Sequence, residues 1–127
     1  LTGDQVITEA GELLRANARA GDIVARTGGE EFAILAPGSG LAGAQHLALR
    51  IGEAFRRREF GGTRRIPVTA SIGLVAETIT DDAVLSDLVA RADEALYAAK
   101  RSGRNRVVVW TPGLAALRAA AGEPAIR

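Results

Sequence analysis

Two adjacent carboxylates, Glu30 and Glu31, follow a pair of glycines in the segment Arg-Thr-Gly-Gly-Glu-Glu-Phe at 26–32. Apolar, strand-like runs flank this segment on both sides. A Gly-Gly pair between two such runs predicts a two-residue hairpin turn in which Gly28 and Gly29 both take positive φ. Bare glycine backbone lets a bulky anionic ligand approach closely. Two carboxylates beside such a gap suit a divalent cation that prefers oxygen ligands, such as Mg²⁺.

The composition is that of one soluble globular domain with a sizeable core. The 127 residues are 47% apolar and 24% charged, which is ordinary for such a domain. A net charge of +1 argues against attraction to a nucleic-acid polymer or to a membrane. The absence of cysteine excludes a disulfide framework and thiolate chemistry. We expect a cytoplasmic domain with no membrane contact of its own, and the initial Leu suggests excision from a longer protein.

Hydrophobic periodicity predicts amphipathic helices alternating with strands, without repeats or an internal linker. Asp4 lies where its side chain can cap the first helix. We predict a single α/β (α+β) domain over 1–111, with a central mixed β-sheet flanked by helices, followed by an Ala-rich tail at 112–127. The predicted helices are 5–20, 41–58 and 83–101, and the predicted strands are 22–27, 30–36, 66–76 and 106–110.

Four segments, in the right order, resemble those of the GGDEF domain, the diguanylate cyclase module. They are the Gly-Gly-Glu-Glu-Phe segment, Gly3-Asp4 before a helix, Val-Thr-Ala-Ser-Ile-Gly at 68–73, and Ala-Asp-Glu-Ala-Leu-Tyr-Ala-Ala-Lys at 92–100 with Gly-Arg-Asn at 103–105. The resemblance implies a nucleotidyl-cyclase, palm-like fold in which the β-hairpin turn belongs to the active site. It also implies condensation of two GTP into cyclic di-GMP with release of pyrophosphate. Mg²⁺ or Mn²⁺, a homodimer of facing half-sites and an N-terminal sensory or regulatory domain are implied as partners.

The resemblance also assigns roles to single residues. Glu30 matches the acidic metal ligand, Glu31 is a second candidate catalytic residue, and the two glycines would let the backbone meet the nucleotide. Asp4 matches the residue that accepts hydrogen bonds from the guanine edge. Simpler interpretations are a solvated carboxylate for Glu30, a cross-strand ion pair with Arg26 for Glu31, and a helix N-cap for Asp4.

Lys100 and Arg104 match the family's phosphate-binding pair at the end of the last helix. Arginine binds phosphate oxygens in a fork, and a lysine ammonium suits a triphosphate as a compact charge. The alternative is that both cations simply complement the dipole at the C-terminal end of a helix.

A second site is suggested by Arg19 and Asp22, an Arg-x-x-Asp pattern placed as in the family's product-inhibition site. Arginine can bind guanine O6 and N7 through two hydrogen bonds. Some relatives add an arginine on the following helix, where Ala54 stands here, although Arg50 or Arg57 could substitute. The alternative is an arginine that ends a helix and an aspartate that opens a strand.

The family pattern begins before Gly3, with a strand that ends in a further aspartate metal ligand and is absent from these residues. Its absence would leave backbone groups and apolar surface unpaired. We therefore expect residues 1–127 alone to be unable to cyclise GTP, and the longer protein to be able to. The alternative is a non-catalytic domain that senses GTP or cyclic di-GMP. The intact Gly-Gly-Glu-Glu-Phe favours the cyclase, because a sensor has no need of the acidic metal ligand.

Overall fold

Three helices carry most of the regular structure in a computed structural model that describes residues 2–78 and 85–114. They are α1 (Thr2–Asn17), α2 (Gly40–Arg57) and α3 (Leu85–Arg101). All three match predicted helices. The first begins earlier than its periodicity indicated, so Asp4 lies inside the first turn of α1 rather than at an N-cap. Positions 83 and 84 of the third predicted helix, and most of the predicted tail, fall outside the described residues.

Short strands in the described residues form three separate two-stranded ladders. These are β1 (Ile23–Arg26) antiparallel to β2 (Phe32–Leu35), β3 (Glu59–Phe60) antiparallel to β4 (Ile66–Pro67), and β5 (Ile72–Leu74) parallel to β6 (Val107–Val109). The predicted α+β class is confirmed. The strands run in mixed directions, as predicted, although within 2–78 and 85–114 no ladder joins β2 to β5. The predicted strand 66–76 is also divided into β4 and β5.

The main core lies between α1 and α2. Apolar residues at helical spacing bury one face of each helix, among them Leu14 on α1 and Leu47 and Ile51 on α2. Phe60 is completely buried, and its ring stacks on that of Phe55 with 5.4 Å between centroids. Half-buried residues of both β2 and β5 pack against this cluster. The β1–β2 and β5–β6 ladders therefore pack against the same apolar cluster, although they are not joined by a strand ladder.

Helix α3 lies directly on β5 at Gly73. A Cβ at this position would stand 2.2 Å from the backbone nitrogen of Leu96 and 2.3 Å from the carbonyl oxygen of Ala92. On α3 itself, Ala95 and Ala99 are completely buried. Small residues on both sides allow this close approach, which fixes where the C-terminal end of α3 lies. In the described ranges, no helix combines the length and apolarity needed to cross a membrane.

Candidate active site

The turn between β1 and β2 spans residues 27–31, because the strand register ends with Arg26 opposite Phe32. The predicted two-residue hairpin is therefore wrong, and the connection is five residues long. Neither Gly28 nor Gly29 takes positive φ. The longer loop removes the need for it, since only the tight two-residue turns demand left-handed central residues.

Hydrogen bonds within the turn hold it in shape. The backbone N–H groups of Thr27 and Gly28 donate to the carbonyl of Glu31, at 2.8 and 3.3 Å. The Arg26 guanidinium donates to the carbonyl oxygens of Gly28 (3.0 Å from Nε) and Gly29 (2.5 Å from Nη2). The predicted ion pair between Arg26 and Glu31 is thus wrong, because the longer loop offers the arginine carbonyl oxygens instead.

The two acidic residues of the turn have different surroundings. Glu30 is exposed and makes no side-chain hydrogen bond or ion pair with any described residue. Glu31 accepts a hydrogen bond at Oε2 from the Nζ of Lys100, 3.2 Å away. This contact brings the turn together with the C-terminal end of α3. Glu30 is left available beside the ion pair.

A second carboxylate besides that of Glu31, belonging to Asp93, lies at the same junction. Burial raises the pKa of Asp93, and the negative charge of Glu31 raises it further, while the Lys100 ammonium acts in the opposite direction. The junction between the turn and α3 therefore holds two carboxylates and one ammonium. Asp93 was assigned no role from its motif, and only its position seven residues before Lys100, on the same helix face, could have indicated one.

Arg104 lies three residues after the end of α3 and is exposed. It adopts a left-handed backbone with φ of 63°, between Gly103 at 129° and Asn105 at 49°. The backbone N–H of Arg104 donates to the carbonyl of Ala99 at 2.9 Å, which closes the helix end. Within the described residues, its guanidinium makes no hydrogen bond or ion pair. It is therefore available to a ligand.

Asp4, the predicted guanine-binding residue, is exposed in the first turn of α1. Its carboxylate makes no hydrogen bond or ion pair with the described residues. Both oxygens are therefore free to accept bonds from a base. No such contact joins Asp4 to the 27–31 turn, so its place in the site stays a prediction.

The predicted inhibition pair forms a small closed turn. The Asp22 carboxylate accepts from the backbone N–H of Arg19 at 2.8 Å, and the backbone N–H of Asp22 donates to the carbonyl of Arg19 at 3.0 Å. Arg50 of α2 donates to the carbonyl of Asn17, at the C-terminal end of α1, over 2.5 Å. The structure thus brings a second arginine to the segment that carries Arg19 and leaves one oxygen of Asp22 free.

The residues described at 2–78 and 85–114 contain no cluster of three or more Asp, Glu or His side chains arranged to hold a metal ion. Glu30 nonetheless has suitable donor chemistry, because Mg²⁺ is usually bound through one or two carboxylates together with substrate phosphates. The exposed, unpartnered carboxylate of Glu30 fits that requirement.

Comparison with known proteins identifies the family. The profile of the family described as "Diguanylate cyclase, GGDEF domain" matches residues 1–106. The response regulator PleD of Caulobacter vibrioides is 42% identical over 113 residues, which cover 84% of this chain and 24% of PleD. The chain therefore belongs to the GGDEF family, and it spans about a quarter or less of the length of curated relatives such as PleD.

Solved structures agree with this assignment. The GGDEF domain of PA1120 (TpbB or YfiN) from Pseudomonas aeruginosa superposes with a TM-score of 0.78 at 28% identity, covering 91% of this chain and 68% of that one. The active GGEEF domain of a diguanylate cyclase from Vibrio cholerae gives a TM-score of 0.72 at 30% identity, covering 87% and 69%. Both the fold class and the family read from the motifs are thereby confirmed.

Proposed function

We propose that this domain binds GTP beside the 27–31 turn and condenses two GTP molecules into cyclic di-GMP, with release of pyrophosphate. One observation supports this above all others. The contact between Glu31 and Lys100 joins the turn that carries the free carboxylate of Glu30 to a cation suited to phosphate. A cyclase must handle metal and triphosphate on one exposed surface, and this junction offers groups for both.

The predicted residues would act on the metal ion, the phosphates and the guanine base. Glu30 would hold Mg²⁺ or Mn²⁺, which supplies charge neutralisation and helps the attacking hydroxyl to lose its proton. Lys100 would exchange its bond with Glu31 for one with phosphate, and the free guanidinium of Arg104 would bind phosphate oxygens in a fork. Asp4 would accept from the N1–H and the 2-amino group of guanine, a pair of donors that adenine does not offer.

The reaction favours a homodimer as the working unit. Cyclic di-GMP contains two equivalent phosphodiester bonds, so two GTP-loaded domains facing each other across a twofold axis can form both. We further propose that the GGDEF domain comprises residues 1–111, that it works in the cytoplasm, and that a sensory or regulatory domain preceding it in the parent protein controls the pairing.

We also propose that residues 1–127 alone do not turn over GTP. Within the described residues, Glu30 is not part of an assembled metal centre, and metal-assisted phosphoryl transfer needs the cation held in a fixed position. Pyrophosphate release should therefore occur with the longer protein and Mg²⁺, and not with the 127-residue chain. Full turnover by the 127-residue chain would refute this part of the proposal.

Calorimetric titration with GTP, in the presence and absence of Mg²⁺, tests the site without requiring turnover. We expect Mg²⁺ to strengthen GTP binding by about tenfold or more, and Glu30→Gln to remove that gain. Glu12→Gln, at an exposed glutamate on α1, is the matched control and should keep it. No binding of GTP by the wild-type chain, or an unchanged Mg²⁺ effect in Glu30→Gln, would contradict the proposal.

The second candidate function, a domain that senses cyclic di-GMP, is favoured by the position of Arg50. Its bond to the end of α1 brings two arginines and the free oxygen of Asp22 to one segment, which suits the guanine edge and phosphate of such a ligand. One relative, DgcB from Caulobacter crescentus, was solved in complex with c-di-GMP. Binding of cyclic di-GMP that is lost in Arg19→Ala and Arg50→Ala would establish an inhibition site. The same result without any GTP binding would establish a sensor.

A further inference from the structure

The turn that carries Arg104 has an unusual backbone. Arg104 and Asn105 are consecutive non-glycine residues with positive φ, 63° and 49°. A side chain at Cβ makes the left-handed region unfavourable, and asparagine tolerates it better than most residues whereas arginine does not. Two such residues in succession persist only where their surroundings impose the conformation.

The Arg104 backbone is bonded to the Ala99 carbonyl and to the Arg106 side chain, and two other elements constrain the neighbouring Asn105. Its backbone N–H donates to the Oγ of Ser71, just before β5, at 3.2 Å. Its side-chain oxygen accepts from Nη1 of Arg56, in the last turn of α2, at 3.0 Å. Arg56 is itself oriented by Glu53, whose carboxylate lies 3.1 Å from Nη2. Asn105 is thus held at both its backbone and its side chain, while the neighbouring Arg104 guanidinium stays free.

From this geometry we propose that Asn105 is a positioning residue for phosphate binding. Held by Ser71 and Arg56, it keeps the backbone of Arg104 left-handed and so directs the Arg104 side chain toward the triphosphate. The inference rests on the proposed function, since it takes Arg104 as a phosphate ligand. Asn105 itself touches no substrate. Its effect passes entirely through the direction in which the Arg104 side chain leaves the chain.

The test is a double-mutant cycle on GTP affinity, measured by calorimetry on the 127-residue chain. Asn105→Val disfavours the left-handed conformation and should weaken GTP binding about tenfold, the scale of one lost charge-assisted hydrogen bond. In the Arg104→Ala background the same change should lower GTP affinity by less than about twofold, because the side chain through which Asn105 acts is absent. A merely structural role of Asn105 would lower affinity equally in both backgrounds.

Two further variants distinguish a change in the local backbone conformation from a loss of folding. Asn105→Gly keeps a residue that adopts positive φ freely, and it should bind GTP within about threefold of the wild type. Arg56→Met removes the bond to the Asn105 side chain and should weaken binding about threefold. Arg57→Met is its matched control, because Arg57 also pairs with Glu53 but does not bond to Asn105. It should leave affinity unchanged.

The outcomes distinguish this inference from the proposed function. Absence of GTP binding by the wild-type chain overturns the proposed function and with it the role of Arg104. Normal binding by the wild type, together with unchanged binding by Asn105→Val or an equal loss in the Arg104→Ala background, overturns only the positioning role. Loss in Asn105→Val, rescue in Asn105→Gly and no further loss beyond Arg104→Ala support it.

Discussion

The glycines in two regions of this molecule have opposite surroundings. In the 27–31 turn, a Cβ at Gly29 would meet nothing within 4 Å, and a Cβ at Gly28 would make only an ordinary contact at 3.7 Å. Where α3 lies on β5, a Cβ at Gly73 would overlap helix backbone at 2.2 Å. No atom of the described chain requires the first two glycines, whereas the fold requires the third. Under the proposed function, the nucleotide is the group that would require a bare backbone at Gly28 and Gly29.

Because of this difference, substitutions in the two regions should differ in their effects on the free energy of unfolding and on ligand binding. The contact between α3 and β5 fixes the helix end that carries Lys100, so a change there should alter both. The turn is exposed and held by its own hydrogen bonds, so a change there should alter ligand binding alone. The ion pair between Glu31 and Lys100 connects the two regions.

The largest effect is expected from Gly73→Ala. The added Cβ would overlap the backbone of Ala92 and Leu96, and no side-chain rotation can relieve a clash with backbone. We expect the free energy of unfolding to fall by about 3 kcal/mol or more, as measured by urea denaturation. GTP binding should weaken as well, because α3 must move off β5. If this variant were as stable as the wild type, the two regions would not differ in their tolerance of a side chain.

Lys100→Ala should lower GTP affinity about tenfold while costing less than about 1 kcal/mol of stability. The stability cost is small because the ion pair with Glu31 is partly exposed, at 31% and 46% of the two side chains. Calorimetry and urea denaturation measure the two effects. Arg64→Ala, which removes one exposed positive charge from the 3₁₀ turn after β3, is the control and should change neither. A loss of stability as large as the loss of affinity would mean that Lys100 is mainly structural.

Helix positions and the class of fold could be predicted from the sequence because they follow from local rules. Apolar residues at helical spacing, such as Leu47, Ile51 and Phe55, mark the face of α2 that the core buries. The strands were harder to predict, since β3 and β4 are only two residues long and are too short to show an alternation of apolar and polar residues. The central mixed sheet was predicted from the alternation of helices and strands, and pairing between distant strands has no local signal.

The contacts within the candidate site could not be predicted from the sequence. The cross-strand rule paired Glu31 with Arg26, yet the arginine found carbonyl oxygens that only a five-residue turn exposes. The partner of Glu31 lies 69 residues away along the chain, and such a contact depends on how α3 packs. The two bonds that hold Asn105, beside Arg104, likewise come from the distant Ser71 and Arg56.

Gly29→Ala tests the 27–31 turn, where we expect a smaller effect on GTP binding and almost none on stability. Since the new methyl group meets open space and the backbone has no positive φ, stability should stay within about 0.5 kcal/mol of the wild type. GTP affinity should fall about threefold to tenfold if the nucleotide approaches this backbone. Gly113→Ala, also in open space, is the control for both measurements. Unchanged affinity in Gly29→Ala would leave the turn glycines without a role in binding.

The smallest effect is expected from Asp93→Asn, at the junction of the two regions. Burial and the charge of Glu31 raise the pKa of Asp93 above its ordinary value of 3.8. The folded state thus prefers the protonated acid, and its stability relative to the variant falls as pH rises through the raised pKa. We expect the two Tm values to be close near pH 3 and the variant to be higher by about 1–3 °C at pH 7. In a Glu31→Gln background the pH 7 difference should shrink, because the neighbouring negative charge is gone. A Tm difference that is independent of pH, or a variant less stable than the wild type at pH 7, would show that the charge of Asp93 is not what strains this junction.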